Sequence, residues 1–280
     1  MEVLRSTTAG FCMGVALALR RLDELVAGGG RVVTYGPVIH NPQVLAEYAA
    51  KGVECINSPE EAASDMRILI RAHGIPKDAE SALRSICAQC ADATCPRVKA
   101  ARVLIEKATE GGAMLFLYGE SEHPEVRGLV SYAQGSYYVS ADIDALLERI
   151  AAHPGKIVLA AQTTQDSAQF AVLKSTALGM RGGELTVLDT ICDATGRRQE
   201  DALRIARETD CMVVVGGRTS GNTRRLCEMV ASLGVPVTQV ETAAELSPEF
   251  FRGKKRVGLT AGASAPKRLV DDAEQWLLGL

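Results

Sequence analysis

Three cysteines, Cys12, Cys95 and Cys192, each stand where a short β-like run gives way to a helix-like one. Their segments read S-T-T-A-G-F-C, C-A-D-A-T-C-P and L-T-V-L-D-T-I-C, spaced by 83 and 97 residues. A thiol at a helix N-terminus faces the positive end of the helix dipole, which favours the metal-binding thiolate. Three such thiols suit one shared cluster. Three thiolates rather than four would leave one iron of a 4Fe–4S cluster open to a substrate oxygen, which points to chemistry at the metal rather than simple electron carriage.

The remaining candidate residues follow apolar runs. After 32–35 comes G-P-V-I-H-N-P with His40; after 68–72, A-H-G-I-P with His73; after 114–118, G-E-S-E-H-P-E with His123 and Glu125. After 157–161 comes Q-T-T with Thr163 and Thr164; after 212–215, G-G-R-T-S-G-N-T with Ser220, Gly221 and Asn222; after 257–261, G-A-S-A-P with Ser264. A lone histidine at a helix start is ordinarily a cap or a surface residue. Here three of the four histidines in the chain share one topological position with the three cysteines. Small hydroxyls, amides and helix N-termini make a phosphate cradle without a P-loop, and neither G-x-x-x-x-G-K-[ST] nor a strand-borne G-x-G-x-x-G occurs. The implied ligand is a small anion. Glu125 reads on its own as a first-turn acid that suits the helix dipole; beside a cluster it becomes a proton donor.

The elements that must position these residues alternate along the whole chain. The runs 32–35, 68–72, 114–118, 157–161, 212–215 and 257–261 read as buried strands, each followed by a polar turn and a helix. That pattern is an α/β protein with mostly parallel sheets, in which ligands bind beyond the carboxyl ends of the strands. Asp166 suits an N-cap, and Pro42, Pro96, Pro124 and Pro266 lie at helix starts. The cysteine-opening segments divide the chain into three lobes, 1–95, 96–191 and 192–280, each with about two main strands.

Composition excludes several classes. Only 4% of residues are aromatic and the net charge is −3 without a basic stripe, which argues against nucleic acid. The longest N-terminal apolar stretch, Phe11 to Leu19, is too short to span a bilayer and lacks the marks of a signal peptide. Eight cysteines without a secretory signal imply reduced thiols and a cytoplasmic location. Cys87-x₂-Cys90-x₄-Cys95 is a rival constellation for zinc or a ferredoxin-like cluster, but no second close pair accompanies it. Cys87 and Cys90 are expected on a connecting loop, and Cys55, Cys211 and Cys227 as core filler.

Taken in order, the segments G-F-C-M-G-V, G-P-V-I-H-N-P-Q-V, A-H-G-I-P, D-A-T-C-P-x-V, H-P-E-V-x-G, Q-T-T, I-C-D-A-T-x-x-R-Q, S-G-N-T-x-R-L and T-A-G-A-S-A-P resemble the 4-hydroxy-3-methylbut-2-enyl diphosphate reductase (LytB/IspH) family. They run from residue 10 to 266. The resemblance implies a trefoil of three α/β lobes around one 4Fe–4S cluster per chain, with Cys12, Cys95 and Cys192 as ligands. It implies that His40, His73, His123, Ser220, Asn222 and Ser264 hold an allylic diphosphate, with Glu125 as the proton-relay acid and Thr163 near the substrate hydroxyl. Two electrons from reduced ferredoxin or flavodoxin and two protons would then expel water, giving isopentenyl and dimethylallyl diphosphate. Gly221 stands where the motif often has serine, so one hydroxyl contact gives way to a backbone N–H. The V-A-L-A-L helix after Cys12 lacks a basic residue usual there, and Arg97 is more polar than the motif suggests.

Two other classes fit less well. An iron–sulfur sensor would want a basic helix-turn-helix segment, which is absent. A quinolinate-synthase-like dehydratase would want arginine or tyrosine at the tips for a dicarboxylate.

Overall fold

The six apolar runs form the inner strands of three separate sheets. The structure is a computed structural model that describes residues 1–280. Its strands are β1 (Glu2–Arg5), β2 (Arg31–Tyr35), β3 (Glu54–Ile56), β4 (Met66–Ile70), β5 (Gln89–Asp92) and β6 (Met114–Tyr118). There follow β7 (Tyr137–Ser140), β8 (Ile157–Ala161), β9 (Leu185–Val187), β10 (Cys211–Val215), β11 (Val237–Val240) and β12 (Arg256–Ala261). They pair in the orders β1-β12-β10-β11, β3-β2-β4-β5 and β7-β6-β8-β9. Every pairing is parallel.

Ten α-helices connect them: α1 (Met13–Ala27), α2 (Pro42–Ala50), α3 (Lys77–Ile86), α4 (Pro96–Ala108) and α5 (Pro124–Val130). The others are α6 (Ile143–Ala152), α7 (Ser167–Arg181), α8 (Asp193–Ala206), α9 (Gly221–Ser232) and α10 (Lys267–Leu278). Parallel sheets need both faces covered, because the crossovers that link parallel strands are helices. In the β10–β12 sheet, Val213, Val215, Val257 and Leu259 pack on Leu269, Val270 and Leu277 of α10. On the other face Met212 and Val214 meet α8 and α9 through Ile205, Val230, Ala202 and Leu226. The β6–β8 sheet alternates likewise. Phe116 and Leu159 meet Leu146 and Leu173, while Leu117 and Val158 meet Ile105 and Leu129. In the β2–β4 sheet, Val33, Ile68 and Ile70 cover Leu83 of α3.

Local signals act as expected at most helix starts. Asp166 caps α7 by accepting from the Gln169 N–H at 2.9 Å, and Pro42, Pro96 and Pro124 are first residues of their helices. Pro266 is instead the residue before α10.

The structure corrects several boundaries. β4 ends at Ile70, so Arg71 and Ala72 belong to the tip that follows. β1, which the sequence reading did not pick out, pairs with β12, as the Val3–Val257 register shows. Two compact units are distinguished: Met1–Ala16 with Ile39–Ala50 and Asp193–Leu280, and Leu17–Val38 with Lys51–Cys192. Cys87 caps the end of α3 and Cys90 lies within β5, not on a loop. Cys55 is exposed on β3, whereas Cys211 is buried on β10. No helix is long and apolar enough to cross a membrane.

Candidate active site

The three cysteines share one local geometry. Cys12 and Cys192 immediately precede α1 and α8, and Cys95 is the N-cap residue of α4. A residue at a helix start has a backbone N–H without an intrahelical partner. Here each N–H donates to the carbonyl of the second residue beyond an inner strand. The Cys12 N–H reaches Ala263 O beyond β12 at 3.1 Å, the Cys95 N–H reaches Ala72 O beyond β4 at 2.9 Å, and the Cys192 N–H reaches Thr163 O beyond β8 at 3.0 Å. Each cysteine is thereby pinned to a tip that carries candidate residues: Ser264, His73, and Thr163 itself. All three cysteines are half-buried and in no disulfide, and the Cys12 Sγ accepts from the Val15 N–H at 3.5 Å. Soft thiolates on rigid helix starts fit an iron–sulfur group better than a hard oxygen-bound cation.

In the first unit, the Ser264 Oγ donates to His40 O at 3.0 Å. A side chain at Gly217 would overlap that same carbonyl, so the 216–220 tip approaches the His40 loop backbone to backbone. Ser220 caps α9, its Oγ accepting from the Thr223 N–H at 3.3 Å. Gly221 opens that helix. Asn222 is buried, and its Nδ2 donor has no hydrogen-bond partner. A buried amide donor without an acceptor is costly unless a ligand supplies one. At a helix N-terminus the fitting ligand is an anion.

In the second unit, His123 caps α5, and its Nδ1 accepts from the Glu125 N–H at 3.1 Å. An accepting Nδ1 places the proton of a neutral ring on Nε2. The rings of His123 and His73 meet edge-to-face, centroids 5.4 Å apart at 89°. Glu125 is 2% exposed. Its Oε1 accepts from the Thr163 N–H at 2.6 Å and its Oε2 from the Thr163 hydroxyl at 2.9 Å. Burial pushes the Glu125 carboxyl above the ordinary carboxylate range, against the two Thr163 donors and the Arg102 charge, which pull it down. A carboxyl so placed can hold and release a proton. Thr163 therefore joins Glu125 through its donors to Cys192 through its carbonyl. Thr164, beside it, accepts from the Gln162 Nε2 at 3.2 Å.

Two positioning arginines and an aspartate escape the sequence reading. Arg198 is buried and donates to Ala261 O at 2.7 Å and Gly10 O at 3.0 Å, holding the Cys12 loop to the end of β12. Asp201 accepts from the Ser6 hydroxyl at 2.7 Å and the Thr7 N–H at 2.9 Å. Arg102 donates to Ile75 O at 2.9 Å. Arg198 stands in the segment I-C-D-A-T-x-x-R-Q, but nothing there marks it as buried, and the other two look like ordinary charges on amphipathic helices.

The chain is thus an all-parallel α/β protein with three cysteines at helix starts and a buried carboxyl beside one of them in the fold. The model of the family described as LytB protein matches residues 3–278, and the chain belongs to that family. A relative from Desulfovibrio desulfuricans, named 4-hydroxy-3-methylbut-2-enyl diphosphate reductase, is 50% identical over 287 residues and covers 100% of both chains. A solved structure of (E)-4-hydroxy-3-methyl-but-2-enyl diphosphate reductase, the terminal enzyme of the non-mevalonate pathway, is 36% identical. It covers 100% of both chains with a TM-score of 0.69. The E-1-hydroxy-2-methyl-but-2-enyl-4-diphosphate reductase from Plasmodium falciparum shares the fold, with a TM-score of 0.89 at 22% identity, over 99% of this chain and 87% of its own.

Proposed function

We propose that this chain is a 4-hydroxy-3-methylbut-2-enyl diphosphate reductase, removing the allylic hydroxyl of its substrate to give isopentenyl and dimethylallyl diphosphate. The overall change takes up two electrons and two protons and releases one water. Cys12, Cys95 and Cys192 are the ligands of a 4Fe–4S cluster in this reading. When bound, that cluster would supply the electrons and a Lewis-acidic iron at the hydroxyl. The observation that carries the reading is the recurrence of a cysteine N–H pinned to the second residue beyond an inner strand.

The chain's own residues do the rest. His40, His73, Ser220, Asn222 and Ser264, with the Gly221 N–H, bind the diphosphate. The unpartnered Asn222 Nδ2 and the α9 N-terminus support that assignment. Thr163 orients the substrate hydroxyl. Glu125 donates protons through the Thr163 hydroxyl it already accepts from, and His123 fixes the start of its helix. Its burial keeps water from the Glu125 carboxyl. Reduced ferredoxin or flavodoxin is the electron donor, and the cytoplasm its compartment.

Anaerobic purification with iron and sulfide counts, then assay with a low-potential donor and the allylic diphosphate, tests this. Cys12→Ser, Cys95→Ser and Cys192→Ser should each lose the visible cluster absorption, because serine oxygen is a poor ligand for iron that prefers thiolate. Cys87→Ser and Cys90→Ser should keep it. A cluster lost with Cys87 and kept without Cys12 would overturn the ligand set.

A further inference from the structure

Arg102 explains two glycines that the catalytic reading leaves without a role. Gly74 belongs to A-H-G-I-P and Gly128 to H-P-E-V-x-G. Any side chain at Gly74, whose φ is +71°, would overlap the Arg102 guanidinium, and a Cβ at Gly128 would lie 3.0 Å from its Nη2. The guanidinium thus fills the space between the His73 tip and the helix that begins at His123. It donates to Ile75 O at 2.9 Å and lies 5.0 Å from the Tyr132 ring centroid. Its nearest carboxylate, the Glu80 Oε2, is 3.9 Å away, and Glu80 is already bonded to Arg84 at 2.7 and 3.0 Å. The Nε is buried with no partner. A buried cation held mainly by a backbone carbonyl and a ring keeps much of its field for its neighbours.

We propose that Arg102 is a positioning residue for proton delivery: it ties the His73 tip to the Glu125 helix and sets its charge toward the Glu125 carboxyl. This rests on Glu125 being the proton donor. Geometry carries the first half, through the two glycines, the Ile75 bond and the edge-to-face meeting of His73 and His123. The second half agrees with Arg102 being the one side-chain charge that lowers the Glu125 carboxyl. Thr163 from the tip beyond β8 bonds that carboxyl, the Arg102 guanidinium from α4 packs against Gly128 on the Glu125 helix, His123 accepts from the Glu125 N–H, and His73 meets His123.

The test is the pH dependence of kcat in the clustered enzyme, for Arg102→Met, Glu125→Gln and the double variant. Arg102→Met should lower kcat about ten- to hundred-fold, the scale of a misplaced reacting group. It should also move the alkaline limb of kcat upward by on the order of one pH unit, since a carboxyl relieved of a nearby cation holds its proton more tightly. In the Glu125→Gln background the same change should cost no more than about twofold, because a residue acting through Glu125 has nothing left to act on. Unchanged alkaline behaviour in Arg102→Met, or losses that multiply in the double variant, would overturn the proposal. Should Arg102→Met fail to fold, Arg102→Lys keeps the charge but not the fork: kcat should fall with the alkaline limb unmoved. A wild-type kcat in Arg102→Lys would refute the positioning role. A Glu125→Gln enzyme at the wild-type rate defeats the proton-donor reading itself, whereas a slow Glu125→Gln beside a wild-type Arg102→Met defeats only the inference.

Discussion

Glu125 and Asn222 are both buried polar side chains, and their partners separate their roles. Glu125 has every oxygen engaged by Thr163, so its burial is tolerated, but the ionised form remains the costly one. Glu125→Gln keeps size and reach without the acidic proton, and kcat should fall by about 10²-fold with substrate affinity near normal. Stability should move the other way. The folded carboxyl holds its proton more tightly than the unfolded one, so wild-type stability falls as pH rises from the ordinary carboxylate range through the raised value. The Tm of Glu125→Gln should therefore gain on wild type with rising pH, and a constant Tm difference across pH would contradict this. Asn222 presents an unanswered donor at a helix start. Asn222→Ala should raise KM by roughly ten- to hundred-fold, the loss of a charge-assisted hydrogen bond, while cluster content stays unchanged. Both residues were legible in the sequence as polar residues after apolar runs. The Thr163–Glu125 pairing was not, because it joins positions 38 apart that only the β6–β8 neighbourhood brings together.

At the scale of elements, legibility follows burial on two faces. The six strands read from the sequence are the six inner ones, β2, β4, β6, β8, β10 and β12. Inner parallel strands are covered above and below and become continuous apolar runs. The edge strands β1, β3, β5, β7, β9 and β11 are short and half-exposed, so E-V-L-R, Q-C-A-D and L-T-V carry no comparable pattern. Cys90 was misplaced for that reason: its strand looks like loop. The candidate site survived the omission because its tips hang from inner strands. Its supports were less visible, since a helix face does not announce which charges turn inward. α8 is the clearest case, with Arg198 and Asp201 one turn apart both reaching into the loop before Cys12. Burial pushes the Asp201 carboxyl up, but bonds from Ser6, Arg204 and the Thr7 N–H prevail and hold it below the ordinary range. Such a group stabilises the fold above its unfolded pKa and loses that contribution as pH falls through the folded value. Asp201→Asn should thus lower Tm most at neutral pH, with the deficit closing in acid. A deficit that persists unchanged at low pH would point to packing rather than charge.

For the whole molecule, the decisive long-range feature is the pairing of the first strand with the last. β1 runs parallel to β12 with Glu2 opposite Arg256 and Arg5 opposite Leu259, so residues from both ends of the chain share one sheet. Arg5 adds ion pairs to Asp271 at 2.8 Å and Glu274 at 2.5 Å on α10. Sequence could not show this, because a four-residue edge strand carries no mark of a partner more than 250 residues away. The consequence concerns independence of parts. A lobe cut at 192–280 would keep β10, β11 and β12 but leave β12 as an open edge, with the apolar neighbours Met1 and Val3 gone from its core. An exposed parallel edge presents unpaired backbone groups to water and to other chains. A fragment of residues 192–280 should therefore unfold at a lower temperature than the intact chain and tend to associate. A synthetic peptide of residues 1–16 should raise its Tm in a concentration-dependent way, as any ligand of the folded state does. The same peptide with Val3→Asp, which puts a charge at the position opposite Val257, should fail to do so. A fragment whose Tm ignores the native peptide would show that the last three strands close a stable sheet without the first.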